Sequence, residues 1–255
     1  MTLEDPRAPR TALITGGTSG MGLETARTLL RSGTKVAITG RDPDRLSAAV
    51  DRLGGGDRLI AFAGDAADLG SLDAMIHGVA ESFGELDLLF ANAGVAAFAP
   101  ASDVTEAEFD RVVGINLKGV YFTIQKALPL LVDGSAIVVN ASWTAHRGMA
   151  GGSLYAATKA AVQSLARTLA AELAPRRIRV NSVSPGYITT PMFYDNVADD
   201  AHEVIRAAIP AARFGTAEDV ARAVAFLGSD AASYVNGQDL VIDGGLVGVA
   251  GGARV

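Results

Sequence analysis

Tyr155 and Lys159 stand four residues apart, and Ser142 stands thirteen residues before the tyrosine. On a helix, residues four apart share a face, with Cβ atoms about 5–6 Å from each other. A phenol beside an ammonium can trade a proton, because the cation favours the phenolate. A free tyrosine titrates near pH 10, so work near neutrality requires a fall to about 7–8, worth about 3–4 kcal/mol. One cation about 4 Å away supplies on the order of 4 kcal/mol at an effective dielectric near 20. Lys159 is therefore expected to hold Tyr155 acidic, provided the two are close and partly desolvated. Ser142 ends an apolar run, and its hydroxyl can hold a substrate oxygen. The trio suits chemistry at a carbonyl or alcohol carbon, where charge growing on oxygen needs a donor in place. Asn116, in Gly114-Ile-Asn-Leu-Lys118, lies in an apolar helical pattern, and a buried amide there needs partners. It is expected to anchor a water chain from Lys159 to solvent.

A tyrosine–lysine pair alone is common. Its force here comes from a second feature, the loop Thr15-Gly-Gly-Thr-Ser-Gly-Met-Gly22. The loop follows a short apolar run and opens a helical pattern, the context in which glycines cradle a dinucleotide. Gly16 permits a tight turn, and Gly20 and Gly22 let backbone approach a pyrophosphate. The free N–H groups and positive dipole of the helix start favour that anion. Gly16, Thr18, Ser19, Gly20, Met21 and Gly22 are the expected contacts. Proton transfer beside a dinucleotide points to hydride transfer.

The next apolar run ends Thr39-Gly40-Arg41-Asp42-Pro43. NAD-binding chains usually place an acid at this strand end to hold the ribose hydroxyls. Gly40 stands there instead, and the Arg41 guanidinium suits a 2′-phosphate. Asp42 could serve ribose, but it precedes a proline at a first helical position and reads as a helix cap. NADP(H) is therefore favoured over NAD(H). Asp65 and Ala66 follow the third strand and could contact adenine. Asn92 and Gly94 follow the fourth and could line the nicotinamide side.

Positioning such groups takes a sheet. Apolar runs at 11–15, 35–39, 58–63, 87–91, 136–141, 179–184 and 240–242 alternate with helical patterns at 20–31, 69–83 and 155–173. Strict alternation implies parallel strands with right-handed crossovers and helices on both faces. The reading is α/β: one doubly wound domain over 1–255, about seven strands, with the ligand at the carboxyl ends. Residues 244–254 read as a flexible tail or a subunit contact.

Composition agrees. With 255 residues, 49% hydrophobic and 20% charged, the chain can bury a large core. A net charge of −6 gives no reason to expect nucleic acid or an anionic membrane. There are no cysteines, which excludes disulfides and thiolate metal sites. His77, His146 and His202 lack metal-ligand spacing, so no metal is expected. The first ten residues lack the apolar core of a signal peptide, and no run suits a membrane span. A cytoplasmic protein is expected.

Taken together, the chain resembles the short-chain dehydrogenase/reductase family over nearly its whole length. The resemblance rests on the glycine loop, Asn92-Ala-Gly94, Asn116, Ser142, Tyr155-Ala-Ala-Thr-Lys159, Asn181, Pro185-Gly186, and Gly237-Gln238 leading to Asp243-Gly-Gly245. It implies a Rossmann-type fold and a catalytic set of Asn116, Ser142, Tyr155 and Lys159. It also implies that Ile188 and Thr190 touch the nicotinamide carboxamide, that Arg41 selects NADP, and that the protein is a homotetramer. Trp143 departs from the second small polar residue of many relatives; it either meets the substrate or packs.

Residues 187–214 are expected to form a substrate lid. Met192, Phe193, Tyr194, Val197 and Ile205 offer apolar surface there, while Asp195, Asp199, Asp200 and Glu203 make the stretch acidic. A neutral small-molecule ketone or alcohol fits better than an anion, unless Arg147, Arg206 or Arg213 points inward. An alternative is a 3-oxoacyl-[acyl-carrier-protein] reductase, which needs basic docking patches. Arg176-Arg177-Ile178-Arg179 is one, but Leu131-Val-Asp-Gly-Ser135 carries an acid where a second is expected. A dinucleotide sensor without turnover is a further alternative, disfavoured by the complete catalytic set.

Overall fold

The computed structural model describes residues 8–249. Seven strands form one parallel sheet: β1 (Thr11–Ile14), β2 (Lys35–Gly40), β3 (Leu59–Ala63), β4 (Leu86–Ala91), β5 (Leu131–Asn140), β6 (Arg179–Pro185) and, after a short pair described below, β9 (Asp239–Ile242). Their order is β3-β2-β1-β4-β5-β6-β9. The chain runs outward from β1 to β3, then crosses back to place β4 on the other side of β1. Strand order reverses between β1 and β4, which opens the crevice where such sheets bind ligands.

The strands read as apolar runs because both faces are covered. Side chains alternate across the sheet. Leu13, Ala37, Leu89 and Val139 join the core under α3 (Leu69–Phe83), α5 (Val120–Ala127) and α6 (Ser153–Glu172). Ala12, Ile14, Val36, Ile38, Leu88, Phe90 and Val138 face the opposite core, under α1 (Gly20–Arg31), α2 (Pro43–Leu53) and α9 (Ala217–Gly228). The fold class is thus as the pattern implies: one Rossmann-like unit with a seven-stranded parallel sheet.

Local chemistry starts the helices. The Asp42 carboxylate accepts from the Asp44 and Arg45 amides at 3.0 and 3.1 Å, so it caps α2 as its position before Pro43 suggests. Thr216 and Asp219 form a reciprocal capping box on α9. Between α4 (Glu106–Val113) and α5 the helix widens into a π-turn, Gly114–Gly119, which holds the fully buried Asn116. Such wide turns often mark functional sites.

The segment between β6 and α9 leaves the sheet. It carries β7 (Ile188–Thr189), α7 (Pro191–Asn196), α8 (His202–Ala208) and β8 (Gly215–Thr216). The β7 and β8 strands pair in parallel, Ile188 opposite Gly215, and clip the base of the expected 187–214 lid. Residues 250–254 of the glycine-rich end lie outside the described residues, as do the first seven.

Candidate active site

A cavity of about 620 Å³ opens at the carboxyl ends of the strands, lined by the loops that follow β1 to β6. Of the expected site residues, Gly16, Thr18, Ser19, Gly20, Met21, Arg41, Asp65, Ala66, Asn92, Gly94, Ser142, Tyr155, Lys159, Ile188 and Thr190 line it. Gly22 and Asn116 do not; both act from behind the wall.

The glycine loop is tight for a reason. Gly16 has φ +67°, a conformation that glycine adopts freely. A Cβ at Gly22 would fall 2.3 Å from the Gly16 carbonyl oxygen and 2.7 Å from Asn92 Nδ2, so only glycine lets α1 come this close. Ser19 occupies the α1 cap position without a side-chain cap bond, and the first turn carries no acid. The cavity wall thus presents a helix start that suits a phosphate.

Beside β2, a Cβ at Gly40 would meet Thr18 Cγ2 at 2.3 Å. A side chain at that strand end would have to displace the Thr18 methyl. Arg41 lines the cavity there, and so does Arg45, one helical turn on. The second arginine is not evident from the motif; its only signal is the four-residue spacing from Arg41. Asp42 is occupied with its helix cap, and its other oxygen lies 3.6 Å from Arg45 Nε. Asp65 accepts the Ala67 amide at 2.9 Å, which fixes the turn after β3. These residues fit a dinucleotide, and the two arginines line its β2 end.

Asn92 lines the cavity and also has a second task. Its amide nitrogen donates to the carbonyls of Thr15 and Gly16 at 2.9 and 3.1 Å, and its oxygen accepts from Asn140 at 3.0 Å. Its side chain braces the glycine loop. Asn116 is likewise a brace. It accepts from the Val95 amide at 2.8 Å, donates to the Val95 carbonyl at 3.0 Å, and reaches Thr158 Oγ1 at 3.3 Å. A Cβ on Gly94 would sit 3.3 Å from Asn116 Oδ1 and 3.4 Å from Lys159 Nζ, so this glycine lets the two groups flank the loop. The side chain of Asn116 thereby ties α4 and α5 to the loop after β4.

Tyr155, Lys159 and Ser142 meet in the cavity. The Ser142 hydroxyl lies near enough to the Tyr155 phenol to act on its pKa, and Lys159 Nζ lies 5.7 Å from the phenol ring centre. The ammonium donates to the Asn140 carbonyl at 2.7 Å. Burial pushes the Tyr155 phenol above its ordinary pKa, and the Ser142 hydroxyl offsets this only in part. Burial also lowers Lys159 to about 8. Burial of both groups thus opposes the expected lowering of Tyr155 by Lys159.

The far wall is aromatic. Trp143 lies 5.2 Å from Tyr187, ring centre to ring centre, and Tyr187 meets Phe193 at 6.4 Å. Trp143 both lines the cavity and packs with Ile209 and Leu246. Phe98 sits edge-on to Tyr155 at 5.4 Å; nothing in its sequence surroundings announces it. Ile188 sits in β7. Thr190 caps α7, and a Cβ on Gly20 would reach its methyl at 3.1 Å, so the clip touches the glycine loop.

The surface arginines are engaged elsewhere. Arg147 donates to the Leu246 carbonyl, Arg213 pairs with Asp219, and Arg206 lies 3.7 Å from Glu203. Arg179 is buried and donates to the carbonyls of Leu227 and Ser229. Arg176 and Arg177 both meet Asp133. Among the described residues, no group of three or more metal-ligating side chains converges, and no helix is long and apolar enough to cross a membrane.

A family model described as "Enoyl-(Acyl carrier protein) reductase" matches residues 16–247, from the glycine loop to the segment after β9. The chain belongs to the short-chain dehydrogenase/reductase family. Within that family, "3-oxoacyl-[acyl-carrier-protein] reductase FabG" of Staphylococcus aureus is 38% identical over 93% of this chain and 98% of its own length. "Levodione reductase" of Leifsonia aquatica is 38% identical over 92% of this chain and 93% of its own. The crystal structure of a short-chain dehydrogenase/reductase from Brucella melitensis superposes with a TM-score of 0.90 at 35% identity, covering 93% of this chain and 96% of that one. The chain is thus an oxidoreductase of a family that uses nicotinamide cofactors.

Proposed function

We propose that this short-chain dehydrogenase/reductase is an NADP(H)-dependent enzyme acting on a neutral ketone or secondary alcohol, with Tyr155 as proton donor and acceptor. The observation that carries it is the meeting of Ser142, Tyr155 and Lys159 in the cavity that the dinucleotide loop also lines. A bound nicotinamide cofactor supplies or accepts the hydride and, when oxidised, brings one positive charge. Ser142 holds the carbonyl oxygen by a hydrogen bond. The protonated phenol of Tyr155 gives its proton to that oxygen as charge grows there. A phenol kept neutral by burial is the form that reduction needs.

The neutral substrate follows from where charge lies. The charged residues of the wall are Arg41, Asp42, Arg45 and Asp65, beside β2 and β3, and Lys159 behind the tyrosine. The substrate end, under Phe98, Trp143, Met149, Tyr187 and Ile205, carries none. The 187–214 segment serves as its lid. The carrier-protein alternative is weaker, because Asp133 offsets the charge of Arg176 and Arg177, and Arg179 is buried. The reading also carries a cytoplasmic location and a homotetramer. Exposed apolar side chains on α4 and α5 (Phe109, Tyr121) and on α9 and β9 (Phe226, Leu240) suit the latter.

Tyr155→Phe tests the assignment. It should cut ketone reduction by at least about a hundredfold while NADPH binding, followed by fluorescence, stays within about twofold. Turnover above about a tenth of the wild type would mean that another group donates the proton. If the wild type binds NADPH but turns over no ketone or alcohol in a broad panel, the sensor reading takes its place.

A further inference from the structure

Outside the cavity, five polar side chains from four elements close on one another. His146 Nε2 lies 2.7 Å from Asp239 Oδ2 on β9. Ser184 Oγ of β6 and Gln163 Nε2 of α6 lie 3.3 and 3.2 Å from the same ring nitrogen. Ser182 and Ser184 both donate to the other Asp239 oxygen. Gln163, Ser182 and Ser184 are buried, and the Asp239 side chain is 8% exposed. A carboxylate can only accept, so the short contact puts a proton on His146 Nε2, and Gln163 can bond that nitrogen only with its amide oxygen turned toward it.

A serine, a histidine and an aspartate invite comparison with a hydrolytic triad, but the geometry rejects it. Serine and aspartate meet the same ring nitrogen, so the imidazole cannot relay a proton from one to the other. Ser184 is also fully buried.

What the cluster does hold is the turn that starts at Ser142. The Ser142 hydroxyl accepts the Thr144 amide at 3.2 Å, its carbonyl accepts the Ala145 amide at 3.0 Å, and the His146 amide closes the turn on the Trp143 carbonyl at 2.9 Å. His146 is thus the last residue of the one-turn helix that begins at the proposed substrate-binding serine. Arg147 adds a second tie, 3.1 Å to the Leu246 carbonyl just beyond β9. Trp143, within the turn, also packs against Leu246. Lys159 lies one helical turn before Gln163 on α6, so the cluster also backs the helix that carries Tyr155 and Lys159.

We propose that His146 is a positioning residue. Its bond to Asp239 fastens the 142–146 turn to β9, which holds the Ser142 hydroxyl beside Tyr155 and Trp143 at the wall of the substrate cavity. The proposal rests on the reading of Ser142 and Tyr155 given above, but its first test does not. Trp143 is the only tryptophan in the chain and lies within the turn, so its fluorescence reports the turn directly.

Wild-type Trp143 is 9% exposed and should be poorly quenched by acrylamide. His146→Ala should raise the quenching constant at least about twofold by letting the turn open locally. It should also lower kcat about tenfold for NADPH-dependent reduction of cyclohexanone, or of another neutral ketone the wild type reduces, with the KM for NADPH within about twofold. His146→Gln offers an amide nitrogen at similar reach and should recover most of both losses. Asp239→Asn keeps the shape, removes the charge and should move both readings the same way, which covers a His146→Ala protein that fails to fold. Unchanged quenching in folded His146→Ala and Asp239→Asn proteins overturns the proposal. So does a kcat loss matched by an equal loss of NADPH affinity, since that is general damage. A wild type that reduces no ketone would sink the functional reading, while the quenching result still decides the tether.

Discussion

Lys159 offers a measurement that separates burial from chemistry. Its ammonium sits in the interior with one hydrogen bond, to the Asn140 carbonyl, and burial lowers its pKa from 10.5 to about 8. Between those two values the unfolded chain binds a proton that the folded chain does not. Stability must therefore rise with pH across that window. Below about pH 8 the full cost of a buried charge is present; above about pH 10.5 it is gone. The whole window corresponds to about 3 kcal/mol at 1.36 kcal/mol per pH unit, and the step from about pH 7 to about pH 9.5 to about 2 kcal/mol. Other groups titrate in the same range, so the quantity to read is a difference. Urea unfolding of the wild type and of Lys159→Met at both pH values cancels most shared ionisations. The wild type should gain about 2 kcal/mol on the variant between them. Lys159→Met should also be at least as stable as the wild type near pH 7, despite losing turnover, because an apolar side chain ends the desolvation cost. That gain is limited by the Asn140 carbonyl, which loses its donor at a cost of about 1–3 kcal/mol. A difference that stays flat, or that falls as pH rises, would show that Lys159 is solvated in the folded protein.

Cofactor choice and fold stability give two further tests. Arg41→Ala should raise the KM for NADPH about tenfold, the low end for a charge-assisted contact at an exposed site. NADH should change less than about twofold; equal losses for both would remove Arg41 from the 2′-phosphate, and Arg45→Ala should show a smaller loss of the same kind. Asp219 is held at about 2 by Arg213 and by the α9 capping box. Its contribution to stability is complete above its ordinary 3.8 and fades as pH falls through about 2. Asp219→Ala should cost about 1 kcal/mol near neutrality, a Tm drop of about 2–4 °C. The cost should vanish below about pH 2; a cost that survives there would mean that the charge does not matter.

Much of the architecture is legible in the sequence because a parallel sheet covered on both faces turns its strands into apolar runs. Ala12-Leu-Ile14 and Val36-Ala-Ile38 need no tertiary information to be read as strands. β5 begins at Leu131, earlier than its apolar core suggests, because Asp133-Gly134-Ser135 hides a polar stretch still joined to the sheet through Leu86. β7 and β8 are two residues each, and only their pairing across the intervening segment makes them strands. No local pattern can announce that. The site divides the same way. Residues fixed by local geometry are legible: Gly16 at a tight turn, Gly22 at a close approach, Asp42 before a proline, Tyr155 and Lys159 on one helical face. Residues whose role depends on a distant partner are not. Arg45 and Phe98 reach the cavity only once the elements pack. Asn92 and Asn116 are in place, yet their amides brace loops. The direction of the Tyr155 shift is set by burial, which the four-residue spacing does not carry.

The two halves of the site are joined by one amide pair. Asn140, the last residue of β5, accepts Lys159 Nζ on its carbonyl at 2.7 Å and donates through its side chain to Asn92 Oδ1 at 3.0 Å. Asn92, just past β4, donates in turn to the carbonyls of Thr15 and Gly16, just past β1. A continuous polar path thus runs from the lysine behind the proton donor to the loop that would hold pyrophosphate, across the point where strand order reverses. The path has a cost. Asn140 Oδ1 is buried without a partner, and such an atom costs about 1–3 kcal/mol. An apolar side chain at 140 would remove that orphan but strip Asn92 Oδ1 of its donor, moving the cost into the brace of the glycine loop. Asparagine at 140 thus keeps the brace of the glycine loop at the cost of one unpaired oxygen.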